Sequence, residues 1–218
     1  MAIQTYDDLT DRIDNDFSWR IVELNAIRGE LEKHDRTPDT PLARALRRSG
    51  AAILYVHWEG YCKNVLSAYF DYLLARRIPV RKASDGLAML MLEKLSRSIS
   101  DPNSPAARDL LSLVRGDAEP RISRVRTDDV VNTQSNLRSR VIEDILRKLD
   151  LDIPLVSTKG HLIDKSLCDP RNAIAHGKEH TCPDVGEYQR VMDEIVVLMR
   201  EVSSAITWSA GQAAYLRG

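Results

Sequence analysis

From Leu42 to Arg77 the chain runs without a proline, with Thr40 and Pro41 ahead of it and Pro79 just beyond. Thr40 is a natural N-cap and Pro41 has the φ of a first helical turn, so the stretch predicts one long helix. Its middle, Ile53 to Asn64, is apolar on several sides rather than on one stripe. A helix with apolar residues nearly all round must be buried on more than one face. In a chain of 218 residues that makes it the central helix of a bundle. Gly50 and Gly60 each cost about 1 kcal/mol relative to Ala in a helix interior. Close approach of another helix at those positions explains why they are tolerated.

The flanking sequence supplies partners of the same kind. Leu9, Ile13, Phe17, Arg20, Leu24, Ile27 and Leu31 recur at helical spacing, with Arg20 as a polar break in the stripe. The polar, proline-bearing segment His34 to Pro41 ends that helix. Shorter helices are expected over Gly86 to Arg97 and Pro105 to Arg115, with Gly116 as a stop. Another is expected from Leu137 to Leu149, with Ser135 or Asn136 as cap and Pro154 as its breaker. Gly160 to Leu167 reads as a short helix leading into one that begins at Asp169-Pro170. The last helix starts near Pro183 or Asp184 and continues through Tyr188, Met192, Ile195, Met199 and Ile206. No stretch alternates with period two over strand length, so the fold class is all-α, a single-domain helical bundle. The expected domain is 1–218, with 80–133 a less regular insertion carrying short helices.

The 31 Lys and Arg against 32 Asp and Glu leave no global field to hold nucleic acid, so any such site must be a local concentration of charge. Arg97, Arg108, Arg115, Arg121, Arg124 and Arg126 crowd the insertion. Of these, Arg121, Arg124 and Arg126 are the candidates for RNA-backbone contact, against the plainer reading of a solvated loop. Three cysteines without metal-ligand spacing, an N-terminus unlike a signal peptide and no membrane-length apolar run predict a soluble, reduced, cytoplasmic protein. Cys168 and Cys182 are not expected to pair in that compartment.

The residues richest in chemistry lie at Cys168-Asp169-Pro170-Arg171-Asn172-Ala173-Ile174-Ala175-His176-Gly177. Asp169 and Pro170 read as a helix start, which would put Arg171 near backbone N–H groups that favour an anion. His176 lies about 140° round the helix from Arg171, and Asn172 and His176 share a face. An Arg fork, an amide and a group titrating near neutrality on one edge suit phosphate chemistry. Gly177 would end the helix in the left-handed conformation. The plainer reading makes Arg171 a solvated charge and His176 a helix-end residue. His176, His180 and Cys182 are close in sequence, but a zinc site needs a further ligand. No phosphate loop or nucleophile elbow is present, so neither metal nor cofactor is expected.

Arg171-Asn172-Ala173-Ile174-Ala175-His176 resembles the Arg-x4-His signature of the HEPN superfamily, in the form with Asn directly after Arg. The string His57-Trp58-Glu59-Gly60-Tyr61 followed by Lys63 is similar to a branch of HEPN proteins named after cyanobacterial loci. In that branch the Trp-Glu-Gly segment sits on an early long helix. The two motifs occur in the expected order. The resemblance implies a small helical bundle. It implies a metal-independent endoribonuclease of the toxin or phage-defence kind, with Arg171, His176 and Asn172 as its catalytic residues. It further implies a homodimer that joins two signatures in one cleft, and a possible nucleotidyltransferase-like antitoxin as partner. Glu59, Tyr61, Lys63 and His57 are candidates to line or support that cleft. Glu59 and Lys63 are also spaced as an ordinary i,i+4 surface pair. The alternatives are a non-catalytic HEPN module that binds RNA, nucleotide or a protein, and a purely structural helical adaptor.

Overall fold

The computed structural model describes residues 3–117, 121–122, 125–178 and 183–217. Three long helices carry the architecture: α1 (Tyr6–Lys33), α2 (Pro41–Ala75) and α9 (Val185–Gln212). α1 begins at a capping box that the hydrophobic pattern did not mark. Thr5 Oγ1 accepts the Asp8 N–H at 3.0 Å, and Asp8 accepts the Thr5 N–H at 2.9 Å. These hydrogen bonds to the Thr5 and Gln4 backbone hold the Asp8 carboxyl below the usual carboxylate range. Thr40 caps α2 as expected, accepting the Ala43 N–H at 3.2 Å.

Gly50 and Gly60 show how closely these helices approach. A Cβ at Gly50 would stand 3.2 Å from Leu31 of α1 and 3.3 Å from Tyr188 of α9, so three helices meet there and a side chain would press on both neighbours. Leu31 opposes Gly50 while Asp16 bonds Asn64, which makes α1 and α2 antiparallel. Tyr188 opposes Gly50, Tyr61 bonds Ser203 and Tyr69 bonds Ser209 at 2.8 Å, so α9 runs parallel to α2. α2 is the central helix. It buries Leu54, Trp58, Tyr61, Cys62, Val65, Leu66, Tyr69, Phe70 and Leu73 on faces toward both neighbours. Full burial of a Leu or Phe side chain contributes roughly 1.5–3 kcal/mol. The core is one contiguous cluster that also takes in the shorter helices.

Those shorter elements are α3 (Asp85–Arg97), α4 (Pro105–Arg115), α5 (Thr127–Val130), α6 (Ser139–Lys148), α7 (Pro154–Thr158) and α8 (Asp169–Ala175). Among the described residues there is no strand, only two isolated bridges, Pro79 with Arg121 and Ala83 with Leu216. No helix among them is long and apolar enough to cross a membrane. Pro154, read from sequence as a breaker, instead opens α7, where its missing N–H is no loss. α6 starts two residues later than its apolar spacing suggests, and neither Ser135 nor Asn136 caps it. Gln134 and Ser135 are both in the left-handed region, φ 54° each, and turn the chain. The cap comes from elsewhere in the chain: Asp164 accepts the Ser139 N–H and Oγ–H, each at 2.9 Å.

The largest departure from the hydrophobic pattern is Arg20. Rather than interrupting the α1 stripe at the surface, it is buried (4% exposed) with Asp16 (7%) and His57 (2%). Arg20 Nε and Nη2 donate to Asp16 at 2.8 and 3.3 Å, and Nη1 donates to the His57 carbonyl at 3.4 Å. Asn64 Nδ2 donates to Asp16 Oδ1 at 3.0 Å. The guanidinium also lies 4.4 Å from the centre of the Trp19 ring. Gly60 makes this possible, since a Cβ there would stand 3.0 Å from Arg20 Nη1.

Candidate functional site

The helix bearing Arg171 is not a fresh start. Leu162–Cys168 is π-helical and runs directly into α8, with Cys168 (φ −72°, ψ −44°) and Asp169 (φ −64°, ψ −46°) already helical. Arg171 therefore lies inside a continuous helical run, and the expected anion-binding N-terminus at Asp169-Pro170 is corrected. The physical cause is Pro170. A proline within a helix removes one N–H and crowds the carbonyl four residues back, and the wider π turn before it relieves that crowding. Asp169 is consequently no cap. Its carboxylate takes Arg138 Nη2 at 2.6 Å and Lys165 Nζ at 3.2 Å. The Arg138 hydrogen bond, chiefly, holds Asp169 below the usual carboxylate range.

Arg138 to Asp169, together with Asp164 to Ser139, fastens the π segment and α8 to the start of α6. Leu137 completes this junction. Its N–H donates to Tyr55 Oη at 2.8 Å, and its carbonyl accepts Trp58 Nε1 at 3.4 Å and Cys168 Sγ at 3.5 Å. Cys168 and Cys62 are both buried free thiols, and burial pushes Cys168 up to about 12. Neither is a nucleophile poised at neutral pH.

On this base Arg171 is half-buried with its guanidinium 4.7 Å from the centre of the Tyr55 ring. Its Nη1 donates to Asn172 Oδ1 at 3.0 Å. His176 is the C-cap of α8 and is exposed, its N–H donating to the Asn172 carbonyl at 3.0 Å. Gly177 takes φ +65°, and Gly177 N–H to Ile174 and Lys178 N–H to Ala173 close a Schellman motif, as the glycine stop predicts. Arg48 of α2 donates to the Lys178 carbonyl at 3.3 Å. Tyr55 meets Arg171 and Arg48 meets Lys178, so α8 runs antiparallel to α2. Among the described residues no side chain holds the His176 imidazole. The segment offers a restrained cation and an amide early in α8 and an exposed imidazole at its C-cap. That can bind a phosphate and move one proton.

The α2 candidates separate. Glu59 turns inward one helical turn from Tyr55. Its Oε1 is buried without a hydrogen-bond partner, and its charge helps keep the Tyr55 phenol protonated, after burial itself. Lys63 is exposed, and among the described residues no ion pair joins it to Glu59, so the expected i,i+4 pair does not form. Tyr61 is corrected from cleft residue to core residue. It is fully buried, bonded to Ser203 and edge-on to Phe17 with ring centres 5.8 Å apart. His57 is likewise corrected. It belongs to the buried Arg20 cluster between α1 and α2, with Nε2 3.1 Å from Glu23 but off the hydrogen-bonding direction. Desolvation, then the Arg20 charge, pull its pKa down; Glu23 and Asp16 oppose them.

Among the described residues, no insertion arginine is bonded to Arg171, Asn172 or His176. Arg121 is exposed and bridges Pro79, beyond the end of α2, and Tyr55 to Ala75 alone spans about 30 Å of helix. Arg126 lies 3.9 Å from Asp128, Arg97 pairs with Glu93 at 2.6 Å, and Arg108 is spent on the Asn103 carbonyl. Arg124, His180 and Cys182 lie outside the described residues. Among those described, no group of three His, Cys, Asp or Glu side chains is placed to hold a metal ion. A cavity of about 450 Å³ lies on the Pro170 side, lined by Arg47, Lys165, Glu187 and Tyr188 rather than by Arg171 or His176. Sequence reading missed Tyr55, Arg138, Asp164 and Arg48. Only Tyr55 left a signal there, as an aromatic one turn before Glu59.

Comparison with known proteins bears on this cluster. A family model described as RiboL-PSP-HEPN matches residues 15–207, which takes in α2, the junction at Leu137 and all of α8. The match supports the superfamily and not the branch suggested by Trp58-Glu59-Gly60. No curated protein and no solved structure matches the chain.

Proposed function

The chain belongs to the RiboL-PSP-HEPN family, a membership that points to ribonuclease or RNA-binding function in general, and we propose that it is a metal-independent endoribonuclease acting through Arg171, Asn172 and His176. On this reading residues 1–218 form one HEPN-like unit with 80–133 as an insertion. The observation that carries it is the Arg171 guanidinium, held between Asn172 and the Tyr55 ring on the helix that ends in an exposed His176.

In the reaction the 2′-oxygen of the RNA attacks phosphorus and the bond to the 5′-oxygen breaks. A base takes the 2′-proton and an acid delivers a proton to the leaving oxygen, which leaves a 2′,3′-cyclic phosphate. Arg171 neutralises charge on the phosphorane with a planar fork of donors. His176 transfers protons, since an imidazole ring can both accept and donate one. One imidazole that no described side chain holds is thin for both proton transfers. A two-fold dimer whose axis passes close to the signature brings a second Arg171 and His176 into the same cleft, because the two subunits present the same patch to each other. A toxin or phage-defence effector silenced by a nucleotidyltransferase-like antitoxin is the matching biological role.

The same unheld His176 favours a second reading, a non-catalytic module that binds RNA or a partner protein through Arg171. Purified protein incubated with total RNA in excess EDTA, beside Arg171→Ala and His176→Ala, separates the two. Cuts with cyclic-phosphate ends by the wild type alone support the ribonuclease. RNA binding that is lost in Arg171→Ala, with no cleavage by a folded dimer, supports the module.

A further inference from the structure

We propose that Tyr55 is a positioning residue for Arg171: its ring face carries the guanidinium and fixes the direction in which the remaining donors are presented to a phosphate. The inference deepens the reading above and rests on it. Tyr55 is fully buried, so its ring has no freedom to follow solvent or substrate. The hydroxyl is clamped by the Leu137 N–H at 2.8 Å. The carbonyl of that same Leu137 is bonded by Trp58 of the same helix and by Cys168, which immediately precedes α8. One backbone unit thus fixes both the platform and the start of the helix that carries the cation.

A guanidinium 4.7 Å from the ring centre is attracted to the π face, which limits the swing of a long side chain. Asn172 Oδ1 occupies Nη1 on one side. The donors left over are those a phosphate can take. Arg171 is thereby held from below and from one flank, with its direction set before a ligand arrives. Preorganisation of this kind reduces the freedom lost on binding.

The test uses the full chain and a 2′-O-methyl oligonucleotide, which cannot form a cyclic phosphate and so reports binding whether or not the protein cuts RNA. Tyr55→Leu is expected to weaken its binding about tenfold. In an Arg171→Ala background the same substitution is expected to change nothing further. Tyr55→Phe keeps the ring and restores most of the binding that Tyr55→Leu loses. The side-chain Nε–H resonance of Arg171 is expected to show a ring-current shift in the wild type and in Tyr55→Phe, a readout that needs no folded leucine variant. A Tyr55→Leu loss equally large without Arg171, or an unshifted Arg171 resonance in the wild type, overturns the proposal. Absence of RNA cleavage with the coupling and the shift intact would instead remove the ribonuclease reading and leave the positioning role standing.

Discussion

The buried pair Asp16–Arg20 should behave as a unit whose halves are far more costly to remove than the whole. Arg20→Met keeps the length of the side chain but strips the Asp16 carboxylate, 7% exposed, of its cation and leaves it only Asn64. Breaking a buried pair from one side costs about 3–5 kcal/mol, because the remaining charge has been taken out of water without compensation. Asp16→Leu should cost a similar amount, with Arg20 left to the His57 carbonyl at 3.4 Å and the Trp19 face. Removing both charges together removes the desolvation penalty as well. The double variant loses the bond to Asn64 and the one to the His57 carbonyl, each worth about 1 kcal/mol, so it should lie within about 2 kcal/mol of the wild type. The expected coupling is therefore several kcal/mol, against a total stability of roughly 5–15 kcal/mol. Urea denaturation followed by circular dichroism at one fixed protomer concentration measures it. Urea adds no ionic screening, and the fixed concentration removes any contribution from self-association. Single variants that each lose under 1 kcal/mol, or a double variant that loses their sum, would refute the account of Arg20 as a desolvated, paired charge.

Gly60→Ala should lose about 1 kcal/mol even though Ala is the better helix former by about that much, because its Cβ displaces a guanidinium held by charge-assisted bonds. In the Arg20→Met background it should instead stabilise, and thermal melts of the four proteins decide the point. His57 carries a depressed pKa in the folded state, so the unfolded chain binds the extra proton first. Stability should fall as pH drops below about 6.5, the unfolded value, with a slope of at most about 1.4 kcal/mol per pH unit. His57→Gln should flatten that part of the urea-midpoint profile, and an unchanged profile counts against the buried-histidine cause. Gly177→Ala places a Cβ at φ +65° and should cost about 1 kcal/mol, while Lys63→Ala, at an exposed position, should change the urea midpoint by less than 0.5 kcal/mol.

The long elements were legible because hydrophobic spacing and local punctuation act over neighbouring residues. Thr40-Pro41 and Gly177 did what such residues do in any helix. The central place of α2 followed from its middle being apolar on several sides. The close approach at Gly50 and Gly60 was readable as well, since a glycine in a long helix needs a reason. What fills the space at Gly60 was not readable: it is the guanidinium of Arg20, a residue that hydrophobic spacing alone marks as an interruption.

The signature divides in the same way. The spacing of Arg171, Asn172 and His176 fixes their order along the helix, and the chain carries it wherever it folds. Whether Arg171 stands at a helix start or inside a longer helical run depends on the π turn that accommodates Pro170, and that turn is fastened by Asp164 and Arg138 from outside the motif. The neighbours on α2 are sorted by which way each side of the helix is packed. Tyr61 and His57 go to α9 and α1, Tyr55 and Glu59 to the junction with α8, and Lys63 to solvent. Local chemistry thus settled which residues sit on one helix and in what order. Desolvation and three-dimensional crowding settled which of them are free to meet a ligand, because burial is a property of all the elements packed around a residue and not of its own segment.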